Sequence, residues 1–212
     1  MKIGVIGMGS VGGALGRRWA EHGHEVAFGA RDPGSTKAKG FAAAIKGAAT
    51  VVSISNACVL ADVVVLATPW DATVKAIGEA GDLAGKIVID VTNPVRGDLS
   101  GLAVGADTSG AEEVQRHAKG ARVYKTLNQT GWETMADPSF RSAKPVMFVA
   151  GDEPQGKATV MGLVDELGFE AVDAGGLDAA RMLEWLAMLW IHLMVNRKLG
   201  RRIAFALMRK EK

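Results

Sequence analysis

The feature that most constrains the fold is a short apolar strand followed at once by a glycine turn. Residues 2–6 read KIGVI, and Gly7-Met8-Gly9-Ser10-Val11-Gly12 then completes the pattern GxGxxG before a helix expected over residues 11–22. In such a turn the first glycine permits a tight bend, the second lets a pyrophosphate approach the backbone, and the third lets helix and strand pack closely. The helix N-terminus offers unpaired N–H groups to the phosphates. The order strand, turn, helix therefore predicts a dinucleotide-binding unit.

The rest of the chain alternates strand and helix patterns. The continuous apolar run over residues 63–67 is typical of a strand covered on both faces. Alternation of this kind predicts an α/β fold, a doubly wound and mostly parallel Rossmann sheet with a C-terminal helical extension. We expect residues 1–175 to form the dinucleotide-binding domain and residues 176–212 to form the extension, within one compact unit. Further strands are expected at residues 24–29, 50–53, 86–91, 122–127, 145–150 and 170–173, and further helices at 37–46, 72–79, 111–119, 155–167 and 177–196.

The tip of the second predicted strand indicates which dinucleotide binds. Enzymes that use NAD usually place an acidic residue there, and it binds the ribose hydroxyls. Here the strand ends in Gly29-Ala30-Arg31. An arginine can instead bind a 2′-phosphate through two hydrogen bonds. Ser35 and Lys37 add donors close by, and the sequence therefore predicts NADP(H) as the cofactor.

The loops at the carboxyl ends of later strands carry the other candidate ligand-binding residues, because open α/β sheets bind ligands at that edge. For the cofactor we expect further contacts with Thr68, Pro69, Trp70, Asn93 and Pro94, and Trp70 is expected beside the nicotinamide or the adenine. For the pocket of the hydride acceptor we expect Thr126, Asn128, Gln129 and His192. The three amide side chains in these sets are expected to face a carboxamide or a ring carbonyl.

Familiar acid–base machinery is missing from the sequence. The single tyrosine, Tyr124, lacks a lysine four residues later, since that position is Asn128. No histidine, cysteine or carboxylate cluster has metal-ligand spacing, so no metal site is predicted and no catalytic residue is assigned. A site of this kind suits hydride exchange between two flat ring cofactors, because the protein then supplies mainly orientation.

Composition limits the partners. The formal net charge is +2, which gives no electrostatic reason to expect nucleic acid. The one cysteine, Cys58, excludes a disulfide framework and is expected to be a buried thiol. The densest apolar stretch, residues 182–195, is shorter than the ~20 residues of a membrane span and contains Glu184 and His192. We therefore expect no signal peptide, no membrane association and a cytoplasmic location.

The chain resembles the NADPH-dependent deazaflavin reductases, a family of NADP oxidoreductases that use 8-hydroxy-5-deazaflavin, coenzyme F420. The resemblance implies an NADP site at the glycine turn and Arg31, and a shallow pocket where the deazaflavin ring lies over the nicotinamide. It rests on residues 1–12, 29–32, 66–70, 90–94, 109–112, 123–128 and 151–175.

Two other functions fit the residues themselves. One is an NADPH-dependent reductase of another small acceptor, such as an imine, a flavin or a metal chelate. The other is a non-catalytic NADPH-binding protein.

The helix around residues 182–195 is apolar on nearly all sides, so we expect a homodimer built on it, with Trp185 and Trp190 as anchors.

Overall fold

The structure, a computed structural model, describes residues 1–210. Glu211 and Lys212, the end of the basic C-terminal tail, lie outside the described residues. The strands are β1 (Lys2–Ile6), β2 (Glu25–Ala30), β3 (Ala49–Ser53), β4 (Val63–Leu66), β5 (Ile87–Asp90), β6 (Arg122–Lys125), β7 (Val146–Ala150) and β8 (Glu170–Gly175). The α-helices are α1 (Ser10–Glu21), α2 (Thr36–Ala43), α3 (Ile54–Leu60), α4 (Trp70–Ala80), α5 (Gly110–His117), α6 (Trp132–Ala136), α7 (Pro154–Glu166) and α8 (Ala180–Val195), the last preceded by a 3₁₀ turn at Leu177–Ala179.

The strands form one sheet in the order β3-β2-β1-β4-β5-β6-β7-β8, and the first six are parallel. The chain runs outward from β1 to β3 and then crosses to β4 on the other side of β1. This crossing places a topological switch point between β1 and β4, where ligands bind in open α/β sheets. Ile6 pairs with Leu66 in register, so the two strands end side by side. The predicted Rossmann sheet is confirmed.

The last two strands run against the others. Between β6 and β7 the only residue pair is Lys125 with Ala150, each the last residue of its strand, so β7 extends beyond the carboxyl edge of the parallel sheet. The alternating pattern suggested that parallel strands continue, and the structure corrects this. The linking segment contains one short helix, α6, about 7 Å long. Since β6 spans about 13 Å, α6 does not return the chain to the amino edge.

Helices cover both faces of the sheet. One core cluster includes Trp19, Phe28, Tyr124 and Phe169. The cluster on the other face joins β1, β4 and β5 to α3, α4 and α5, and it also includes Leu177 and Ala180. The segment that leads into α8 therefore packs in the same core as the parallel strands. Helix α3 was not expected from the sequence; Ser53 begins it by accepting a hydrogen bond from the Asn56 amide at 3.2 Å.

Helix α8 has one buried face and one exposed face. Trp190, expected as an interface anchor, is only 7% exposed, and its indole N–H donates to the Ile203 carbonyl at 2.8 Å. Met182, Trp185 and Leu189 remain exposed and form a stripe along the opposite face. Within residues 1–210, no helix has both the length and the apolar character needed to cross a membrane.

Candidate functional site

A cleft of about 830 Å³ opens at the carboxyl edge of the sheet, at the switch point between β1 and β4. The glycine turn forms its floor, the end of β2 and the start of α2 form one wall, and the start of α4 forms the other. Of the residues expected to hold the cofactor, this cleft is lined by Gly7, Met8, Gly9, Arg31, Ser35, Lys37, Thr68 and Pro69.

The glycine turn has the geometry that the pattern predicts. Gly7 adopts a φ of 112°, in the region that favours glycine, and a Cβ there would lie 2.4 Å from the Ala67 carbonyl oxygen. A Cβ on Gly9 would meet no atom within 4 Å, so open space lies above it. Ser10 and Val11 begin α1, whose N-cap residue Gly9 offers no side chain to its amides. The turn therefore leaves both room and N–H donors for a pyrophosphate.

Two cations stand at the mouth of the cleft. Arg31 follows the last residue of β2, and Lys37 lies in the first turn of α2. Both side chains are exposed, and neither forms an ion pair with another residue of the described chain. The Ser35 hydroxyl caps α2, since it accepts from the Ala38 amide and donates to the Asp32 carbonyl. This wall can hold a phosphate between two cations and a helix N-terminus.

The loop after β4 presents a threonine oxygen to the cleft. The hydroxyls of Thr68 and Thr73 lie 2.9 Å apart, and Thr73 donates to the Pro69 carbonyl at 3.0 Å. Because that bond uses the single proton of Thr73, Thr68 is the donor between the two hydroxyls. The lone pairs of the Thr68 oxygen are thus left to accept a hydrogen bond from a ligand.

Trp70 and Pro94 do not line the cleft. Each lies close to Gly110 at the start of α5: a Cβ on Gly110 would stand 3.1 Å from the Trp70 ring and 3.2 Å from the Pro94 Cδ. Trp70 also packs against the core cluster below α4 and α5. In this structure Pro94 is buried and Trp70 is half-buried, and both pack where the loops after β4 and β5 meet the start of α5.

The predicted amide ligands bind one another. Asn93 Nδ2 donates to the Asn128 carbonyl at 2.8 Å, and Asn128 Nδ2 returns a bond to Asn93 Oδ1 at 2.9 Å. Gln129 Nε2 donates to Asn128 Oδ1 at 2.8 Å, while its amide also pairs with the backbone N–H and C=O of Phe148 on β7. These bonds use both amide donors of Asn128 and of Gln129, whereas the half-buried Asn93 keeps one Nδ2 donor for a ligand. The chain of amides joins the loop after β5 to the segment after β6.

His192 and Thr126 are not brought together. Thr126 is fully buried, and its hydroxyl has no partner within the described residues. His192 is exposed in the last turn of α8, nine residues beyond Leu183, whose carbonyl accepts from Asn128. That separation is about 13 Å along the helix, so His192 lies away from the amide chain.

A buried ion cluster lies beneath these loops and was not predicted from the sequence. Lys125 Nζ lies 2.9 Å from Asp90 Oδ2 and 2.9 Å from Glu184 Oε1, and all three side chains are inaccessible to solvent. Burial alone would lower the pKa of Lys125, but the two carboxylates outweigh it and the pKa is raised. The available signal was a charged residue within each of three apolar segments, since buried charges need partners.

A second cavity, about 380 Å³, lies at the opposite, amino edge of the sheet. Its lining is largely alanine, glycine and aliphatic side chains, with Lys2, Glu25 and Thr50 as the polar residues and no histidine or cysteine, so its chemistry does not favour a reactive site. Among residues 1–210, no group of three His, Cys, Asp or Glu side chains is arranged to hold a metal ion. The carboxyl-edge cleft is the candidate site.

Comparison with known proteins identifies the family of the chain. Residues 2–94 match the model of the family described as NADP oxidoreductase, coenzyme F420-dependent. The F420-dependent NADP reductase of Methanothermobacter thermautotrophicus is 31% identical, over 93% of this chain and 91% of that protein. A crystal structure from Arthrobacter sp. FB24, itself assigned as an F420-dependent NADP reductase, superposes with a TM-score of 0.89 at 30% identity, covering 99% of this chain and all of that one.

A more distant structure shares the fold alone. The imine reductase of Aspergillus terreus superposes with a TM-score of 0.65 at 18% identity, and the match covers 93% of this chain but 61% of that one. The two nearer relatives match along almost their whole length and at 30% identity or above. The chain therefore belongs to the family of F420-dependent NADP oxidoreductases.

Proposed function

We propose that this protein transfers hydride between NADPH and a deazaflavin-type coenzyme. The observation that carries the proposal is the carboxyl-edge cleft, where an open glycine turn meets two cations that have no partner in the described chain. Family membership supports the choice of acceptor, because the matching relatives are named for coenzyme F420 and NADP.

The residues of the cleft fit NADP(H). We propose that the amides of the Gly7–Gly12 turn, with Met8, Ser10 and Val11, hold the pyrophosphate, and that Arg31 and Lys37 bind the 2′-phosphate. Ser35 fixes the start of α2, and Thr68 accepts a hydrogen bond from the nicotinamide half. When bound, NADPH supplies the hydride. The protein holds the cofactor with donors that match its negative charges.

Beyond binding the cofactor, the cleft contributes to the reaction by orienting the two rings. Its ionisable lining residues are all exposed, and no histidine, cysteine or tyrosine is among them: Arg31, Asp32, Lys37, Lys75 and Glu79. A buried general acid is therefore lacking within the described lining. Hydride exchange between two rings needs little proton transfer, so alignment of the rings can supply much of the rate enhancement.

The decisive experiment mixes purified protein, NADPH and the oxidised deazaflavin, and follows both cofactors by absorbance. A flavin, a cyclic imine and a ferric chelate are tested in parallel. We expect turnover with the deazaflavin, and deuterium from labelled NADPH at its hydride-accepting carbon. Turnover with one of the other acceptors and none with the deazaflavin would transfer the assignment to that acceptor. NADPH binding without turnover of any acceptor would favour a non-catalytic protein.

The proposal includes a cytoplasmic homodimer. The exposed stripe of Met182, Trp185 and Leu189 on α8 supports an interface, because an exposed apolar patch of this kind usually marks a protein contact. Trp190 is buried and bonds to Ile203 of its own chain, so Trp185 is the tryptophan we expect at the dimer interface. A second copy of α8 is the occupant we expect.

A further inference from the structure

We propose that Lys125 is a positioning residue for hydride transfer: its buried ammonium fixes the Thr92–Pro94 loop, which follows β5 at the edge of the sheet where the nicotinamide half of the cofactor extends. This inference rests on the proposed function. It assigns a role to a charged cluster that makes no contact with the cleft and that the binding of NADP by the glycine turn leaves unexplained.

The first step is the way Thr92 is held. Asp90 Oδ1 accepts from the Thr92 backbone amide at 2.9 Å and from the Thr92 hydroxyl at 2.7 Å. Lys125 Nζ donates to the Thr92 carbonyl at 2.6 Å. All three polar groups of one loop residue are therefore bound by two buried ionic side chains, one from β5 and one from β6. A loop residue clamped at its amide, hydroxyl and carbonyl has little freedom to move.

The second step is how the ammonium itself is fixed. The Lys125 ammonium donates to Asp90 and to the Thr92 carbonyl, and Glu184 Oε1 forms an ion pair with it at 2.9 Å. Glu184 in turn accepts from the amides of Gly110 and Ala111, the first two residues of α5. Asp90 on β5 and Glu184 on α8 thus hold the ammonium, and the start of α5 holds Glu184. Because the ammonium is fixed in this way, its bond to the Thr92 carbonyl also fixes the loop.

The third step connects Thr92 to the ligand edge. The next residue, Asn93, exchanges hydrogen bonds with Asn128, and Asn128 leads through Gln129 to the backbone of Phe148. Strand β5 lies beside β4, which lies beside β1 and the glycine turn. The clamp therefore fixes both loops that follow the switch point, on the side where the ring end of a dinucleotide extends.

Stability alone is a weak reason for such a cluster. Apolar residues of similar volume are often at least as stabilising as a buried ion pair, whereas charged hydrogen bonds fix geometry. One cation with two carboxylates, directed at a single loop carbonyl at the ligand edge, is what a positioning role requires.

The test uses Lys125→Met, which removes the ammonium, and Thr92→Val, which removes only the hydroxyl bond and keeps the ion cluster. Tyr124→Phe is the matched control: Tyr124 precedes Lys125 in β6, is equally buried, and donates to the Glu153 carbonyl at 2.9 Å, away from Thr92. For each variant we would measure the affinity for 2′,5′-ADP, the fluorescence anisotropy of the bound reduced nicotinamide, and single-turnover hydride transfer.

We expect 2′,5′-ADP affinity to stay within about twofold of wild type in every variant, since the adenosine half meets other residues. Lys125→Met should lower the nicotinamide anisotropy and slow hydride transfer on the order of tenfold or more, with a smaller effect in Thr92→Val. Tyr124→Phe should lower the melting temperature and leave both ring readouts unchanged.

Wild-type anisotropy and hydride transfer in folded Lys125→Met would overturn the proposal, as would equal effects of Tyr124→Phe. If Lys125→Met fails to fold, Thr92→Val tests the clamp on the loop by the same two readouts, and wild-type values of both in that variant would overturn the proposal. The anisotropy needs NADPH alone, so a wild-type protein that does not reduce the deazaflavin refutes the acceptor assignment and leaves the positioning test intact.

Discussion

Gly12 lies directly on the carbonyl of Gly7, and a Cβ built on Gly12 would stand 2.1 Å from that oxygen. Gly9, between them, faces open space. The two glycines of one turn therefore serve different purposes, since Gly12 allows the helix to pack on the turn and Gly9 leaves room for a ligand. This difference can be measured.

Gly9→Val should abolish tight NADPH binding and leave the fold intact. The N-cap φ of −75° suits any L-residue, so stability should change by less than about 0.5 kcal/mol. The added side chain would occupy the pyrophosphate space and weaken binding by about 2 kcal/mol or more, ~30-fold. Calorimetric titration and thermal unfolding measure the two quantities. Gly12→Ala is the contrasting variant and should lose about 3 kcal/mol of stability through overpacking. Unchanged NADPH affinity in folded Gly9→Val would place the dinucleotide elsewhere.

Arg31→Ala and Lys37→Ala should each reduce the preference for NADPH over NADH. Each removes a charged contact to the 2′-phosphate, which costs on the order of 2 kcal/mol, or tens-fold in affinity. Affinity for NADH, which lacks that phosphate, should stay the same. Lys39→Ala is the matched control, because Lys39 is exposed on the same helix but does not line the cleft. Equal affinity of the wild-type protein for both cofactors would contradict the assignment of NADP.

The fold could be predicted as far as local patterns determine it. The glycine turn, the apolar strands and the helix signals each lie within a short window of sequence, and they predicted the six parallel strands of the sheet. The direction of β7 could not be predicted this way, because it depends on the path of the segment 126–145, whose one helix has five residues, and not on β7 itself. Helix α3 is only seven residues long and follows β3 without a loop, so no turn marked its start.

The site residues, like the strands and helices, could be predicted only where a local pattern determines their position. Residues that directly follow β1, β2 and β4 lie in the cleft because the end of a parallel strand fixes where the next residue goes. The amides of Asn93 and Asn128 were assigned to a ligand since each offers a donor and an acceptor. The two residues lie 35 positions apart in sequence and bond to each other, and Asn128 spends its second donor on the Leu183 carbonyl. The cluster of Lys125 with Asp90 and Glu184 likewise joins distant segments, and no local pattern reveals such a pairing.

Cys58 should be unreactive in the folded protein. Burial raises the pKa of its thiol to about 11 from the usual 9.0, with Lys86 opposing the shift slightly. At pH 8 the thiolate should therefore be scarce, and a disulfide reagent should react only after unfolding. Rapid labelling of the native protein would contradict the burial of this side chain.

The same shift makes a prediction about stability at high pH. The unfolded thiol ionises near pH 9 and the folded one near pH 11, so its contribution is complete below pH 9 and is lost as the pH rises to 11. Two pKa units correspond to about 2–3 kcal/mol. The free energy of unfolding of the wild-type protein should fall by about this amount relative to Cys58→Ala over that range. Parallel pH profiles for the two proteins would show that the thiol does not contribute.

Leu189→Glu should convert the proposed dimer into a monomer. Leu189 is 47% exposed on α8, in the stripe with Met182 and Trp185, and a carboxylate there would be buried without a partner at an interface. The penalty of several kcal/mol should weaken association at least ~100-fold. Leu60→Glu is the matched control, because Leu60 is a leucine of similar exposure, 56%, on α3 and outside the stripe. Light scattering at micromolar concentration should give a dimer for wild type and Leu60→Glu and a monomer for Leu189→Glu. The stripe lies on the face of α8 opposite Glu184, so the monomer should retain NADPH affinity. Any loss of deazaflavin reduction in the monomer would mean that the second copy completes the acceptor pocket. A wild-type monomer, or a Leu189→Glu dimer, would show that this face of α8 is not the interface.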